Sequence, residues 1–404
     1  MGWVLDTGSV NWQEKGSIEN EWSLNDGHTI SDLSSFDLSQ GSYTFVAVYA
    51  LHNYVISYCL DDGTPFYYDD VNVTTRAVAG SYLTLTPLVP WKNDTGLSLT
   101  QTYHFDGWRV SLDSEDLIDS YVPGDSSYGK TYVKASKDMT LYAKFTEESV
   151  YAHPLTLDKM LVEYLPSDGG YGVTINPDAG LQGKICFPKS ITVDGLTADV
   201  VSTLASSIND VGGDVITYSP MANNNKLKAV FFEGSQDGTA TIRTISQGAF
   251  DNDGELIYVD MPDSLTTISV NAFVACVKLT NNVMPINLHK TESASFNGAW
   301  GASAEGIDLK LGAHFISDGV WGPWSFFSSG INSVQIGSAS NRITRFSMDV
   351  EQAPSMFSSS VKNWIVYVKS GSGISEAMVR DMVWKWINGT PENPSEYNIT
   401  VDIG

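Results

Sequence analysis

Through the first 148 residues, apolar and polar positions change place at nearly every second residue. "SYTFVAVYAL" (42–51) and "NYVISYCL" (53–60) set β-branched and aromatic side chains along one face, the pattern of half-buried strands. "LDDGTP" (60–65) supplies a turn, and "GSYLTLTPLVP" (80–90), "YHFDGWRV" (103–110) and "MTLYAKF" (139–145) continue the strand-and-turn rhythm. No helical period of any length interrupts it. Residues 146–225 open with a polar linker, and "GLQGKICFPKSITVDGLTADVVSTLASSI" (180–208) then leads into new strands.

A second, longer period starts at Leu227. "IRTISQGAF" ends at Phe250, "LTTISVNAF" ends at Phe273, and a degraded copy, "NVMPINLHKTESASF", ends at Phe296, a spacing of 23 residues each time. A period in the twenties marks stacked turns of chain, because one such unit cannot bury its apolar side alone. Stacking sets Phe250, Phe273 and Phe296 above one another at the ~4.8 Å sheet spacing, with Leu265 and Ile268 turned inward beside them. Two looser turns follow, "DLKLGAHFISDGVWGPWSFFSSG" and "NSVQIGSASNRITRFSMDVEQAPSMFSSS", each lengthened near its Phe. Phe326 or Phe327 is the rung residue of the first.

The chain ends differently. "ISEAMVRDMVWKWING" (374–389) is an amphipathic helix with Met378, Met382 and Trp386 along one face and Val379, Val383 and Ile387 beside them. Ser375 caps its start, Gly389 its end, and Asp381 and Lys385 stand at the i, i+4 spacing of an ion pair. "EYNITVDIG" (396–404) returns as a strand, so the predicted helix and strand shield the last turn of the stack.

These phrases carry two resemblances. "NYVISYCLDDG", "AVAGSYLTLTPLVP", "YHFDGW" and "DMTLYAKF" occur in that order between Asn53 and Phe145. Together they resemble the internalin-type B-repeat (Listeria–Bacteroides repeat) of bacterial surface proteins, with Thr64 in place of the second opening glycine and Phe145 in place of the closing tryptophan. Gly2–Trp3 and "YTFVAVYA" (43–50) resemble the back half of a preceding copy, which implies that the chain is a piece of a longer protein. "MPDSLTTISVNAFVACVKL" (261–279), Cys276 included, resembles the BspA-type leucine-rich repeat. The expected fold is mainly β: small β-grasp-like B-repeat modules, then a leucine-rich-repeat solenoid with a C-terminal helix-and-strand cap. The expected segments are 1–50 (partial B-repeat), 51–148 (B-repeat), 149–225 (linker and lead-in), 226–362 (leucine-rich repeats) and 363–404 (cap). Phe105 and Trp108 fill the B-repeat core in this reading.

Charge narrows the partners. The 404 residues hold 47 acidic against 23 basic side chains, a net charge of −24. Such a surface repels phosphate backbones and anionic lipid, so nucleic acid is excluded as a partner. No run of apolar residues is long enough for a membrane span, so membrane insertion is not expected, and the N-terminus lacks a signal-peptide pattern. Cys59, Cys186 and Cys276 lie far apart in apolar contexts and read as small buried hydrophobes.

Catalytic chemistry is hard to find. Six histidines (28, 52, 104, 153, 289 and 314) include no i, i+4 pair and no HExxH, and there is no nucleophile elbow or phosphate loop. Carboxylates cluster at Asp113, Glu115, Asp116 and Asp119, and again at Asp251, Asp253 and Glu255. Neither set has the calcium loop with a distal Glu, so calcium stays possible without a motif, and no cofactor is assigned. Trp300, Trp321 and Trp324 stand among glycines in the least regular turns. They either fill those wider turns or form an exposed aromatic surface for a ligand. The reading as a whole is a noncatalytic extracellular adhesion or recognition protein. B-repeats form its stalk, and the repeats present a surface to a protein or glycan of a host or neighbouring cell. A virion appendage recognising a host cell is the alternative, and a carbohydrate-active enzyme the remote one.

Overall fold

In a computed structural model of the chain, the residues described are 2–5, 45–48, 53–68, 71–85, 91–92, 96–118, 132–205, 209–211, 214–216, 220–301, 306–328, 330–347, 355–389 and 391–404. They are mainly β, with two α-helices among them, α1 (Ala313–Ser317) and α2 (Glu376–Trp386). Contacts divide the chain into two compact units, Met1–Thr86 with Asp106–Lys144, and Pro87–Phe105 with Phe145–Gly404.

In the first unit, strand Asn53–Cys59 lies between Thr74–Val78, antiparallel to it, and the start of Met139–Ser149, parallel to it. The predicted alternation is realised: Ile56 and Tyr58 are buried while Val55, one residue earlier, is exposed. Trp108 is buried and meets Tyr58 edge-on at 5.0 Å. Gly107 beside it has φ +150°, a conformation that L side chains rarely adopt. Phe105, expected in the same core, belongs to the second unit, where it is only half-buried and packs on Phe145 at 5.8 Å. An odd number of steps separates residues 105 and 108, and in a strand that sends their side chains to opposite faces. Nearer the start, Gly2–Leu5 pairs antiparallel with Phe45–Val48.

The second unit is built on rows of parallel strands. One row stacks Thr244–Ile245, Thr267–Ile268, Lys290–Thr291 and Val320–Trp321, and it continues upstream through Leu196–Thr203 to Gly170–Ile175. A second stacks Gly183–Phe187, Leu227–Phe232 and Tyr258–Val259. Asn281 extends that row without a strand: Val259 N donates to its Oδ1 (3.0 Å) and its Nδ2 donates to Val259 O (2.7 Å). A third row stacks Ile307–Leu311, Ile331–Ile336, Asn363–Val368 and Asn398–Ile403. Leu265 and Ile268 are buried within the stack.

The phenylalanines run through it. Phe250, Phe273, Phe296, Phe326 and Phe357 are all fully buried, and successive ring centroids lie 5.2, 4.9, 5.3 and 5.4 Å apart with the ring planes nearly parallel. The backbone explains the constancy. Each Phe N–H donates to the carbonyl of the residue before the next Phe: Phe250 to Ala272, Phe273 to Ser295, Phe296 to Ser325, Phe326 to Met356. Two residues ahead of each Phe the chain turns through the left-handed region, at Gly248, Asn271, Ala294, Trp324 and Ser355, with φ between 55° and 59°. Glycine and asparagine suit that conformation, whereas Ala, Trp and Ser are strained in it.

Helix α2 ends the stack. The last Phe N–H, of Phe357, donates to Trp386 O at the helix C-terminus, so the ladder meets a carbonyl there instead of water. Ser375 Oγ accepts from Met378 N, and Gly389 N donates to Trp384 O. Val379, Met382, Val383 and Trp386 are buried, but Met378 is 44% exposed and lies off the buried face. The ion pair on this helix is Glu376–Arg380, not Asp381–Lys385. Arg380 also donates to Ile399 O of the final strand, an anchor that Lys385 does not share.

Phe273→Ala should lower unfolding stability by about 3–5 kcal/mol, because a ring between two rings leaves a cavity that neither neighbour can fill. Ala294→Gly should raise it by about 0.5–1 kcal/mol through relief of the left-handed alanine. Denaturant titration of the two variants checks both signs.

Candidate functional site

The tryptophans singled out from sequence separate into two kinds. Trp300 is fully buried, stacks on Phe296 at 5.1 Å and donates its indole N–H to Asn281 O (2.8 Å). Trp321 is 7% exposed, packs on Phe315 of α1 and donates to Phe315 O (3.1 Å). Both are core rings, and their place on a binding surface is corrected. The residues inserted between Phe296 and Phe326 widen that turn, and indoles with satisfied N–H groups fill it. Trp324 differs. Its side chain is 48% exposed, and Phe327 close by, whose N–H donates to Trp324 O (3.1 Å), is 40% exposed.

The carboxylate clusters also resolve. Glu255 bridges Lys228 (2.5 Å) and Lys278, and the hydrogen bonds from these two lysines pull its carboxyl down to about 2. Asp253 is fully buried: Asn224 N donates to its Oδ1 (2.6 Å), and Oδ2 has no partner among the described residues. Burial, with a smaller contribution from Asp251, pushes the Asp253 carboxyl up to about 8. In the other cluster Glu115 pairs with Lys144 at 2.8 Å, and Asp119 lies outside the described residues.

A group of residues that the sequence did not single out converges elsewhere in the second unit. His104 sits on the strand Gln101–Arg109 and Glu148 on its neighbour Met139–Ser149. After Glu148 the chain makes a single 3-10 turn, Val150–Ala152, whose start Ser149 caps, and this returns His153 to the carboxylate. His104 Nδ1 lies 3.5 Å from Glu148 Oε1 and His153 Nε2 lies 2.9 Å from Oε2. The two imidazoles stack at 3.9 Å, 13° from parallel. A cavity of about 130 Å³ opens beside them, lined also by Trp91, Val150, Leu181 and Cys186. The only sequence trace of this group is the five-residue step from Glu148 to His153; His104 comes from a distant strand.

Behind that turn lies a buried polar knot. Tyr151 Oη donates to Asp260 Oδ2 (3.1 Å) and Tyr258 Oη donates to Oδ1 (3.4 Å). Burial raises the Asp260 carboxyl, and burial followed by the Asp260 charge pushes the Tyr258 phenol up to about 12. Tyr151 is raised further by the same causes in the same order. Such phenols stay protonated and hold the turn against the second strand row, where the Tyr151 ring meets Phe231 edge-on at 5.4 Å. Cys186 and Cys276 are buried and Cys59 is half-buried.

Residues 222–309 match the profile of the BspA type leucine rich repeat region, in six copies. No curated protein matches the chain. Among solved structures the chain is similar to a leucine-rich repeat protein from Bacteroides ovatus ATCC 8483, with 16% identity and a TM-score of 0.31. That likeness covers 54% of this chain and 49% of the other, so the chain spans about half the length of that protein. It is also similar to the T. pallidum leucine rich repeat protein (15% identity, 62% of this chain, 86% of that one, TM-score 0.31). A leucine rich cell surface protein from Faecalibacterium prausnitzii A2-165 matches at 11% identity over 62% of this chain and 95% of its own, with a TM-score of 0.15.

The buried acid gives a pH signature. Folding keeps a proton on Asp253 that the unfolded chain gives up near its ordinary 3.8. Its contribution is therefore full below about pH 4 and is lost as pH rises to about 8. Asp253→Asn removes this dependence, so its melting temperature relative to the parent should climb between pH 4.5 and 8.5. Parallel Tm curves would show that the carboxyl is ionised in the fold.

Proposed function

We propose that the chain is a noncatalytic recognition protein of bacterial-surface type. In this reading residues 226–362 form a leucine-rich-repeat solenoid and the B-repeat-like strands before it act as a stalk. The repeats present a surface to a protein or glycan of another cell. The repeat profile matched over residues 222–309 supports the solenoid part.

One observation carries the binding role. The left-handed position two residues before each stacked Phe is held in the other turns by Gly248, Asn271, Ala294 and Ser355, none of them large or aromatic. Trp324 stands at the same position in the turn of Phe326, in a conformation that costs a bulky side chain energy, with half its indole in solvent. The stack gains little from it there. An exposed tryptophan beside an exposed phenylalanine is a platform suited to sugar rings or to the apolar anchor of a protein partner. Alanine already occupies the matching place at residue 294, so the fold tolerates truncation at 324.

Trp324→Ala and Phe327→Ala should leave the melting temperature within a degree or two. They should weaken binding to whichever glycan or cell type the parent retains on an array by about tenfold or more. Undiminished binding by both variants would remove this surface from the proposal.

A further inference from the structure

We propose that the cavity beside His104, Glu148 and His153 binds one pyranose ring of a neutral glycan. The site lies outside residues 226–362, to which binding is assigned above, so it stands or falls separately from the Trp324 surface.

The polar corner of this cavity is rich in acceptors. With the imidazoles stacked at 3.9 Å, each ring turns one nitrogen to its own oxygen of Glu148, His153 Nε2 to Oε2 at 2.9 Å and His104 Nδ1 to Oε1 at 3.5 Å. A ring nitrogen facing a carboxylate carries the proton, so in the neutral rings His104 Nε2 and His153 Nδ1 are left as acceptors. Both Glu148 oxygens keep further lone pairs, and Oε1 is held only at the longer distance. The ammonium of Lys184, in the same lining, already donates to Gln101 O (2.6 Å) and Ser98 O (3.0 Å). A ligand with several O–H groups supplies the donors that this corner lacks.

Size and charge narrow the ligand further. The cavity of about 130 Å³ is close to the ~150 Å³ that encloses a benzene molecule, so it takes one six-membered ring and not two. Trp91, Val150, Leu155, Leu181 and Cys186 give the lining apolar stretches, against which the C–H face of a pyranose can pack while its hydroxyl edge meets Glu148 and the imidazoles. A wholly apolar ligand would strip water from the carboxylate and return no hydrogen bond. Glu148 opposes an anionic group, and the charge of Lys184 opposes a cationic one. The frame is preorganised: Val150 N donates to Thr100 O (2.9 Å), tying the turn that carries His153 to the segment leading into the His104 strand, and Tyr151 anchors that turn to Asp260.

The test uses the whole chain without a histidine tag and the methyl glycosides of glucose, galactose, mannose and N-acetylglucosamine, with glucosamine and glucuronate as charged controls. Saturation-transfer NMR should show at least one neutral glycoside binding with a dissociation constant of about 1–10 mM, as one sugar ring in a small pocket allows. The same glycoside should move the two imidazole signals that vanish in His104→Gln and His153→Gln. Glucosamine and glucuronate should bind about fivefold more weakly or not at all. Glu148→Gln should weaken the neutral glycoside by about tenfold, whereas Trp324→Ala should leave it unchanged. Near-ultraviolet circular dichroism matching the parent establishes that each variant is folded, and His153→Gln serves for the affinity measurement if Glu148→Gln is not. The proposal is overturned if no neutral glycoside binds or moves those signals, if the charged sugars bind as well, or if the folded pocket variant binds as the parent does.

Discussion

Every turn of the repeat region is fixed by one backbone event. A buried Phe N–H reaches across to the carbonyl that precedes the next Phe, from Phe250 through Phe326. That bond sets the rise between turns near the ~4.8 Å of paired strands, and the rings have to follow at the same interval. Stacked aromatic groups at that distance each add ~0.5–1.5 kcal/mol beyond the area they bury. The left-handed residue two places earlier is the cost of the geometry, since it swings the N–H into line. Asn271 meets that cost easily, and Ala294, Trp324 and Ser355 do not.

The constraint tolerates length but not interruption. Between Phe296 and Phe326 the chain inserts α1, and between Phe326 and Phe357 it lengthens again, yet the ring spacing hardly changes. The longer turn between Phe296 and Phe326 brings its own hydrophobic filling, packed on the rungs themselves. Phe315, Trp321 and Trp300 occupy the widened space, each indole N–H satisfied by a backbone carbonyl. At the end of the stack Trp386 offers its carbonyl to Phe357, and Trp386 and Trp364 close the core at 6.0 Å. Trp324 and Phe327 instead leave their side chains partly in solvent on one turn.

The regular part of this architecture was legible because repetition multiplies a weak local signal. The 23-residue recurrence of Ala-Phe and Ser-Phe identified the rungs, and Leu265, Ile268 and Cys276 followed as inward positions. Ser375 and Gly389 marked the ends of α2 because capping is local chemistry. Side-chain direction at irregular places was not legible. Met378 reads as part of a buried stripe, but the stripe actually buried runs through Val379, Met382, Val383 and Trp386. The glycine-rich setting of Trp300 and Trp324 is the same in sequence, although one indole is sealed in the core and the other stands in water.

Sequence alone determined the mainly β character, the stacked period, the phenylalanine rungs and the acidic surface, because each is a property of spacing or composition along the chain. Tertiary structure decided which tryptophan reaches solvent, that Asp253 is sealed while Glu255 is shared between two lysines, and that His104 meets Glu148 and His153. Those outcomes rest on distances between residues many positions apart. Such distances are set only when strands from separate segments take up their register, and no period in the sequence records them.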